Sequence, residues 1–324
     1  MPANLTPQFR SAEASYKAAK SAEERRTALE AMLATIPKHK GTEKMQADLK
    51  RRLARVRQEE ESHAAKHGHH VHVDPEGAAQ VVLLGPPNCG KSSLLAAVTR
   101  AEPGIADYPF TTTRPQPGMM PYEDVQVQIV DLPPIAHEHM DPWMPNLVRG
   151  ADAALLLVDP TSAEVPEDVE VVRERLAAVH VPLVGELPED ADYRDTPLPT
   201  LMVFTKADRA RADDLEVLDS LYGGAFPIVR MSVATRAGLE SFKVAAWRRL
   251  QLVRVYSKPP GKPADKSAPF VLPHGYTVAD FAERVHREIA EKLQFARVWG
   301  GKLEGQRVAR DFELRDRDVV ELHA

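Results

Sequence analysis

The chain has 324 residues, 43% of them apolar and 27% charged, the balance of a globular protein long enough for two or three compact units. No apolar run approaches the roughly 18 residues of a membrane span, and MPANLTPQFRSAEAS lacks the apolar stretch of a secretory signal. A single cysteine, Cys89, excludes an intrachain disulfide framework, so the reducing cytoplasm is the expected location and no membrane partner is expected.

The formal net charge of −5 is unevenly distributed. Residues 1–75 carry 14 Lys/Arg against 10 Asp/Glu, residues 76–256 carry 16 against 26, and residues 257–324 carry 12 against 11. The basic excess concentrates at 38–57, where eight Lys/Arg face two acids. Such a segment suits a polyanion or a solvated helix face.

Taken in chain order, Leu29, Met32, Leu33 and Ile36 form one stripe at helical spacing, interrupted by Pro37 and Gly41. Met45, Leu49, Leu53 and Val56 form a second, with Thr42 placed to cap it. The two predict a helical hairpin. A tract with His63, His67, His69, His70 and His72 follows, read as a solvated linker or, less simply, as a metal-binding run. From Val81 the texture changes to β-type runs at 81–84, 125–130, 154–158, 201–204 and 227–233, separated by helices. That alternation predicts an α/β fold with a mostly parallel sheet. Residues 183–200 are Pro- and acid-rich, an excursion before the next strand, and 257–269 reads as a Pro/Lys domain linker. Beyond it come a strand at Phe270–Leu272 and a helix capped by Thr277 with Asp280 three residues on. That helix carries the stripe Phe281, Val285, Ile289 and Leu293, and strands follow near Ala296–Trp299 and Asp318–Leu322. The expected division is a hairpin and linker at 1–75, a nucleotide domain at 76–256, a linker at 257–269 and a small module at 270–324.

The segment GPPNCGKS, Gly85 to Ser92, fits G-x-x-x-x-G-K-[ST] between a strand and an apolar helix, the context that makes it a phosphate loop. Gly85 and Gly90 let the backbone approach phosphates, the loop Pro86-Pro87-Asn88-Cys89 wraps round them, and the successive N–H groups leading through Ser93 and the helix N-terminus point at the anion. Lys91 supplies a point charge to the outer phosphates, and Ser92 a hydroxyl for Mg²⁺. Cys89 admits two readings, a thiol activated by the helix N-terminus or a small residue that fits the loop. Asn88 offers a side-chain carbonyl to a monovalent cation.

Thr205-Lys206-Ala207-Asp208 selects the base. A carboxylate at Asp208 accepts from N1–H and the 2-amino group of guanine, a donor pair that adenine lacks. Lys206 packs its stem along the base, Thr205 stands where most guanine sites have Asn, and Ser232-Val233-Ala234 stands where a backbone N–H meets O6.

In that order, GPPNCGKS, ADYPFTTTRP (106–115), DLPPI (131–135), TKAD and MSVA resemble the Obg/DRG branch of translation-factor-class GTPases, most nearly the developmentally regulated GTP-binding (DRG) proteins. The resemblance covers nearly the whole chain: residues 39–57 resemble that family's N-terminal helical hairpin and 268–324 its TGS module, a β-grasp fold. It implies GTP/GDP with Mg²⁺ and K⁺ as cofactors, and slow GTP hydrolysis with Lys91 and Thr112 as catalytic groups. Thr112, with Thr111 and Thr113 as alternatives, would be the switch I hydroxyl at Mg²⁺, and Asp131 would reach the metal through water. An apolar residue, Ile135, stands where other GTPases carry a catalytic glutamine. The resemblance also implies a ribosome or RNA partner, met through 38–57 and the TGS module; no DNA partner is expected. Two departures stand out. The insertion that DRG proteins carry within the G domain is missing, and switch II reads Asp131-Leu132-Pro133-Pro134 instead of D-x-x-G. Proline has no N–H to give a γ-phosphate, which opens a second reading, a nucleotide-binding adaptor that does not hydrolyse. His137, Glu138 and His139 just beyond read as exposed loop residues or as a metal set.

Overall fold

The computed structural model describes residues 16, 22–35, 49, 51–52, 71–99, 114–136, 140–188, 190 and 192–324. The chain divides into two compact units, Met1–His70 and Val71–Ala324. In the first, helix α1 (Ala22–Thr35) buries Leu29 and Met32, two members of the expected stripe, and leaves Leu33 half-buried. Leu49, Arg51 and Arg52 are helical, and Leu49 is buried. The rest of the expected hairpin, most of the basic 38–57 stretch and the His tract up to His70 lie outside the described residues.

The second unit begins with strand β1 (Gln80–Leu84) and helix α2 (Lys91–Val98), joined by the phosphate-loop sequence. Next come β2 (Gln116–Tyr122), β3 (Val125–Asp131), α3 (Met144–Arg149), β4 (Ala153–Val158) and α4 (Val165–Ala177). Then follow β5 (Leu183–Val184), β6 (Leu198–Phe204), α5 (Ala212–Tyr222), β7 (Ile228–Arg230) and α6 (Leu239–Arg249). These strands form one sheet in the order β2-β3-β1-β4-β6-β5, with β7 also on β6. Every pairing is parallel except β2 with β3. Strands β1 and β4 are buried along their whole length, so their continuous apolar runs follow from helices covering both faces. Open parallel sheets place ligands outside the carboxyl ends of their strands. Here those ends carry Gly85, Asp131, Asp159 and Thr205.

Strand β2 was not among the expected strands, because QPGMMPY contains two prolines and a glycine. It lies at the sheet edge, where a residue without an N–H leaves no ladder bond broken, and it turns into β3 through Glu123 at φ 50° and Asp124. The 183–200 excursion is shorter than expected, since β5 pairs with β6 at Leu183–Leu198 and Val184–Pro199. The 227–233 run contributes strand only at Ile228–Arg230.

Strands β8 (Leu252–Ser257), β9 (Phe270–Pro273), β10 (Phe295–Gly300), β11 (Leu303–Val308) and β12 (Asp318–His323) form a separate sheet, ordered β11-β10-β12-β8-β9. Strand β8 pairs with β9 and β12, so residues assigned above to the nucleotide domain open the C-terminal module, and 258–269 is a loop inside it, not a linker between domains. Helices α7 (Val278–Val285) and α8 (Arg287–Lys292) follow β9, and Phe281 sits fully buried beneath the sheet with Val255, Ala296, Val298 and Val320. Thr277 and Asp280 form the expected capping box. The single long helix does not form. His286 adopts an extended conformation and its Nδ1 accepts from the Glu288 N–H, a local bond that ends one helix and starts the next. Val285 and Ile289 are accordingly only partly buried.

The two sheets meet at Arg254. Its guanidinium forms a fork with Asp316 (Nε to Oδ1 3.0 Å, Nη2 to Oδ2 2.6 Å) and reaches Asp124 at 2.8 Å and Glu123 across the domain boundary. Tyr122 and Trp247, stacked 5.2 Å apart, lie 5.6 and 5.4 Å from the guanidinium carbon. Tyr256 donates to Asp124, and burial with that carboxylate pushes its phenol up to about 12. No helix among the described residues is long and apolar enough to cross a membrane.

Candidate functional site

Gly85 adopts φ 144°, and a Cβ there would stand 2.4 Å from the Leu157 carbonyl, so only glycine allows the chain to leave β1 this closely against β4. The loop then turns through Asn88 at φ 61° into α2, whose N-cap, Gly90, supplies no side-chain cap. The first-turn N–H groups of a helix have no intrahelical partner and attract an anion. Ser93 is exposed at that turn. Lys91 is 7% exposed and its Nζ lies on the loop's own carbonyls, 3.0 Å from Gly85 O and 2.8 Å from Pro86 O. Pro87 and Asn88 are exposed, whereas Pro86 and Cys89 are buried. The Cys89 thiol is held above its usual range by burial, against the pull of Lys91, which argues against the reactive thiolate and for the small loop residue.

Ser92 and Asp131 converge from α2 and the end of β3, with the hydroxyl donating to Oδ2 at 2.5 Å. Asp131 is fully buried, and its Oδ1 has no hydrogen-bond partner among the described atoms. Burial raises its carboxyl above the ordinary range, with Ser92 and Lys91 pulling it down. An orphaned buried carboxylate oxygen beside a hydroxyl is a donor set for a hard cation, and Mg²⁺ is commonly held by one or two protein oxygens plus phosphates. Ser92 and Asp131 therefore fit Mg²⁺, which when bound would screen the phosphate charge. The opposite wall of the loop differs. A cavity of about 340 Å³ there is lined by the carboxylates Asp159, Glu164 and Asp168.

The base-side loop is tied to the phosphate loop through TKAD. The Thr205 hydroxyl, buried, lies 2.7 Å from Cys89 O and 3.0 Å from Val158 O. Lys206, at φ 49°, donates to Asn88 O at 2.9 Å and to Asp159 Oδ2 at 2.6 Å. Burial of Asp159 works against ionisation, but hydrogen bonds from Lys206 and Thr161 hold its carboxyl below the usual range. Ala207 N–H donates to Met231 O, linking TKAD to the Ser232-Val233-Ala234 loop, in which Ser232 is buried and Ala234 exposed. The Asp208 side chain is exposed at the open end of this brace. Thr205→Val removes a hydroxyl from two buried carbonyls, and an unsatisfied buried polar group costs about 1–3 kcal/mol. The expected outcome is a lower melting temperature together with GDP affinity reduced roughly tenfold, read by scanning fluorimetry and nucleotide titration.

Residues 80–184 match the family described as 50S ribosome-binding GTPase, and residues 253–324 match the TGS domain. An uncharacterized GTP-binding protein of Halobacterium salinarum is 27% identical over 359 aligned positions, spanning 91% of this chain and 97% of that protein. Developmentally-regulated GTP-binding protein 1 of Xenopus laevis is 24% identical across 91% of this chain and 96% of its own. The chain is thus similar along nine-tenths of its length to developmentally-regulated GTP-binding proteins, with a GTPase domain and a TGS domain matched within it. Both alignments are longer than the chain itself, so these relatives carry residues that this GTPase lacks. The fold agrees with a GTP binding protein of Pyrococcus horikoshii, at a TM-score of 0.50 and 16% identity over 76% of this chain and 99% of that one.

Within the matched GTPase domain, the Asp131–Ile135 segment packs inward. Leu132 and Ile135 are buried in the core under β1 and β4, and Pro133 is buried beside them. The Ile135 N–H is directed at Gly85 O at 3.4 Å, and neither Pro133 nor Pro134 has an N–H. The switch I threonines, Thr111 to Thr113, and His137, Glu138 and His139 lie outside the described residues. No group of three or more His, Cys, Asp or Glu converges as a metal set among the described residues. Asp159 is the site residue that the motif reading passed over. Its signal was available, an acid directly after the buried ALLLV strand at the ligand end of the sheet.

Proposed function

We propose that this GTPase is a slow guanine-nucleotide switch that works in association with ribosomes or RNA and whose switch II reads the γ-phosphate weakly. Guanine-nucleotide binding and GTP hydrolysis belong to the family in general. In this chain Lys91 and the loop amides would hold the phosphates, Ser92 and Asp131 the Mg²⁺, and Asp208 the base. Thr112 would complete the metal shell, and Asn88, exposed at the loop tip, would present its side-chain carbonyl to K⁺. The observation that carries the weak reading is the run from Pro133 to Ile135: two residues without an N–H, then one whose N–H is directed at Gly85 O.

A hydrogen bond to a charged group is worth roughly 1.5–3 kcal/mol, so a missing one costs about a ten- to hundredfold preference for GTP over GDP. Pro134→Gly is expected to raise the GTP/GDP affinity ratio by that factor, measured by titration with both nucleotides. An unchanged ratio would refute the weak reading. Single-turnover GTP cleavage in K⁺ against Na⁺ buffer, with Lys91→Ala as control, tests hydrolysis itself. The same prolines favour a second reading, a nucleotide-binding adaptor, which predicts no cleavage in either buffer even with ribosomes added. Ribosome or RNA association is supported by the description of the matching family and by the basic stretch 38–57.

A further inference from the structure

Helix α6 starts at Gly238, against the Arg230 carbonyl at the carboxyl end of β7, and runs back along β6 and β7. Its last turn therefore lies at the end of the sheet away from the nucleotide loops. Between this helix and the β6–β7 edge is a cavity of about 610 Å³. Leu201, Pro227, Ile228, Val244 and Ala245 form its apolar lining, and Arg248 and Arg249 stand at the end of the helix. A concave apolar space of this size with a few polar groups is the usual form of a small-molecule site.

Arg249 is the polar group left unsatisfied there. Its side chain is half-buried, and its Nε–H is shut off from water with no hydrogen-bond partner among the described residues. Burial pulls the guanidinium below its ordinary range, and Glu186 opposes this only through space. A helix C-terminus attracts cations, which accounts for arginines in this turn. It does not account for an unmet buried donor, which costs free energy. Arg254 shows what such an edge takes in this protein: its Nε and Nη2 grip the two oxygens of Asp316 at 3.0 and 2.6 Å. The acid that lines the cavity cannot do the same for Arg249. Glu240 starts the same helix, roughly 13 Å away at 1.5 Å per residue, and is bonded to Lys243 at 2.7 Å. Exposed Arg248 adds a second positive charge and Ser241 a hydroxyl.

We propose that this cavity binds a small amphiphilic carboxylate, its apolar body on Leu201, Ile228 and Val244 and its two oxygens on the Nε–Nη2 edge of Arg249. A bidentate carboxylate supplies the missing acceptor and shares the charge that burial makes costly. A turn of the half-buried side chain toward the cavity brings Nε within reach of the ligand. An inorganic anion would leave the apolar lining empty, and a neutral apolar molecule would leave the donor unmet. The site is separate from the nucleotide reading: it lies at the opposite end of the sheet, and both can be occupied together.

The test uses the full chain with GDP bound and octanoate as the probe, with octanol and acetate as controls, read by calorimetric titration and thermal unfolding. Octanoate should bind and raise the melting temperature with concentration, because a ligand that binds only the folded state stabilises it by mass action. Octanol and acetate should each bind about tenfold or more weakly, since one lacks the charged acceptor and the other the apolar body. Arg249→Met keeps an apolar stem, removes the fork, and should weaken octanoate about tenfold or more while GDP affinity is unchanged. Its melting temperature without ligand should stay level or rise, because a half-buried charge without a partner is gone. Val244→Phe fills the cavity without replacing the arginine and should weaken octanoate to a similar extent. Absence of octanoate binding by the wild type, or octanol binding as tightly, would overturn the inference. So would a lower melting temperature of Arg249→Met with octanoate affinity intact, which would make Arg249 a structural residue.

Discussion

Asp208→Asn is expected to weaken GDP binding about a hundredfold and to bring xanthosine diphosphate to equal or better affinity. The carboxylate offers two acceptors to the N1–H and 2-amino donors of guanine. An amide offers one acceptor and one donor, so its NH₂ would face the 2-amino group, and a hydrogen bond to a charged partner worth roughly 1.5–3 kcal/mol would give way to a donor–donor contact. Xanthine carries a carbonyl where guanine carries that amine, which restores the match. The framework should not move. Thr205 and Lys206 hold the loop through Cys89, Val158, Asn88 and Asp159, and Asp208 is exposed, so its replacement removes no buried contact. Calorimetric titration with both diphosphates reads the effect, and an unaltered melting temperature assigns it to recognition. A GDP to xanthosine diphosphate ratio that stays at its wild-type value would dismiss Asp208 as the base selector.

The second large effect is expected at Arg254. Its side chain is 2% exposed and serves Asp316 within its own module and Glu123 and Asp124 of the nucleotide domain, so one guanidinium, with Arg317 also on Glu123, ties three carboxylates together at the domain junction. Arg254→Ala would leave those carboxylates facing one another beside the stacked Tyr122 and Trp247. Removing one partner of a buried ion pair costs about 3–5 kcal/mol, which in a unit of this size lowers the melting temperature by roughly 6–15 °C. Arg254→Lys keeps the charge but loses the fork and should recover only part of the loss. The pH dependence has a definite sign. Hydrogen bonds from Arg254 and Arg317 hold Glu123 below its ordinary range. Burial works against the ionisation of Asp124 and Asp316, yet hydrogen bonds, those from Arg254 among them, hold both low as well. Groups with depressed folded values contribute stability above the unfolded carboxylate range, near pH 4, and lose it as the pH falls further. The wild type should therefore lose melting temperature below about pH 4 more steeply than Arg254→Ala. Equal acid sensitivity would mean that the cluster does not hold the modules together. Because β2 runs from the end of FTTTRP to the Glu123–Asp124 turn, the same cluster joins the C-terminal module to the strand that follows switch I.

Much of the architecture was legible because it depends on local pattern. Buried parallel strands must be apolar throughout, which made 81–84, 154–158 and 201–204 recognisable. The phosphate loop was legible because glycine and lysine at fixed spacing have backbone and charge tasks that few other residues perform. Strand β2 was hidden by prolines that only an edge position tolerates, and nothing local announces that a strand will be at an edge. The break at His286 depended on a side chain bonding to its own backbone, which an apolar stripe does not register.

The chain's own order of residues thus supplied the motifs: a glycine-and-lysine loop between strand and helix, an acid in TKAD, and a run of two prolines after Asp131 that has no N–H to offer. Only the tertiary structure decided which sheet β8 joins, that Asp159 holds Lys206, that Asp131 keeps an unpartnered buried oxygen beside Ser92, and that Arg254 binds two modules. The reason is distance along the chain. Motif chemistry acts between residues close in sequence, whereas Arg254 meets Asp124 across 130 residues and Lys206 meets Asp159 across 47, and only folding brings such charges together.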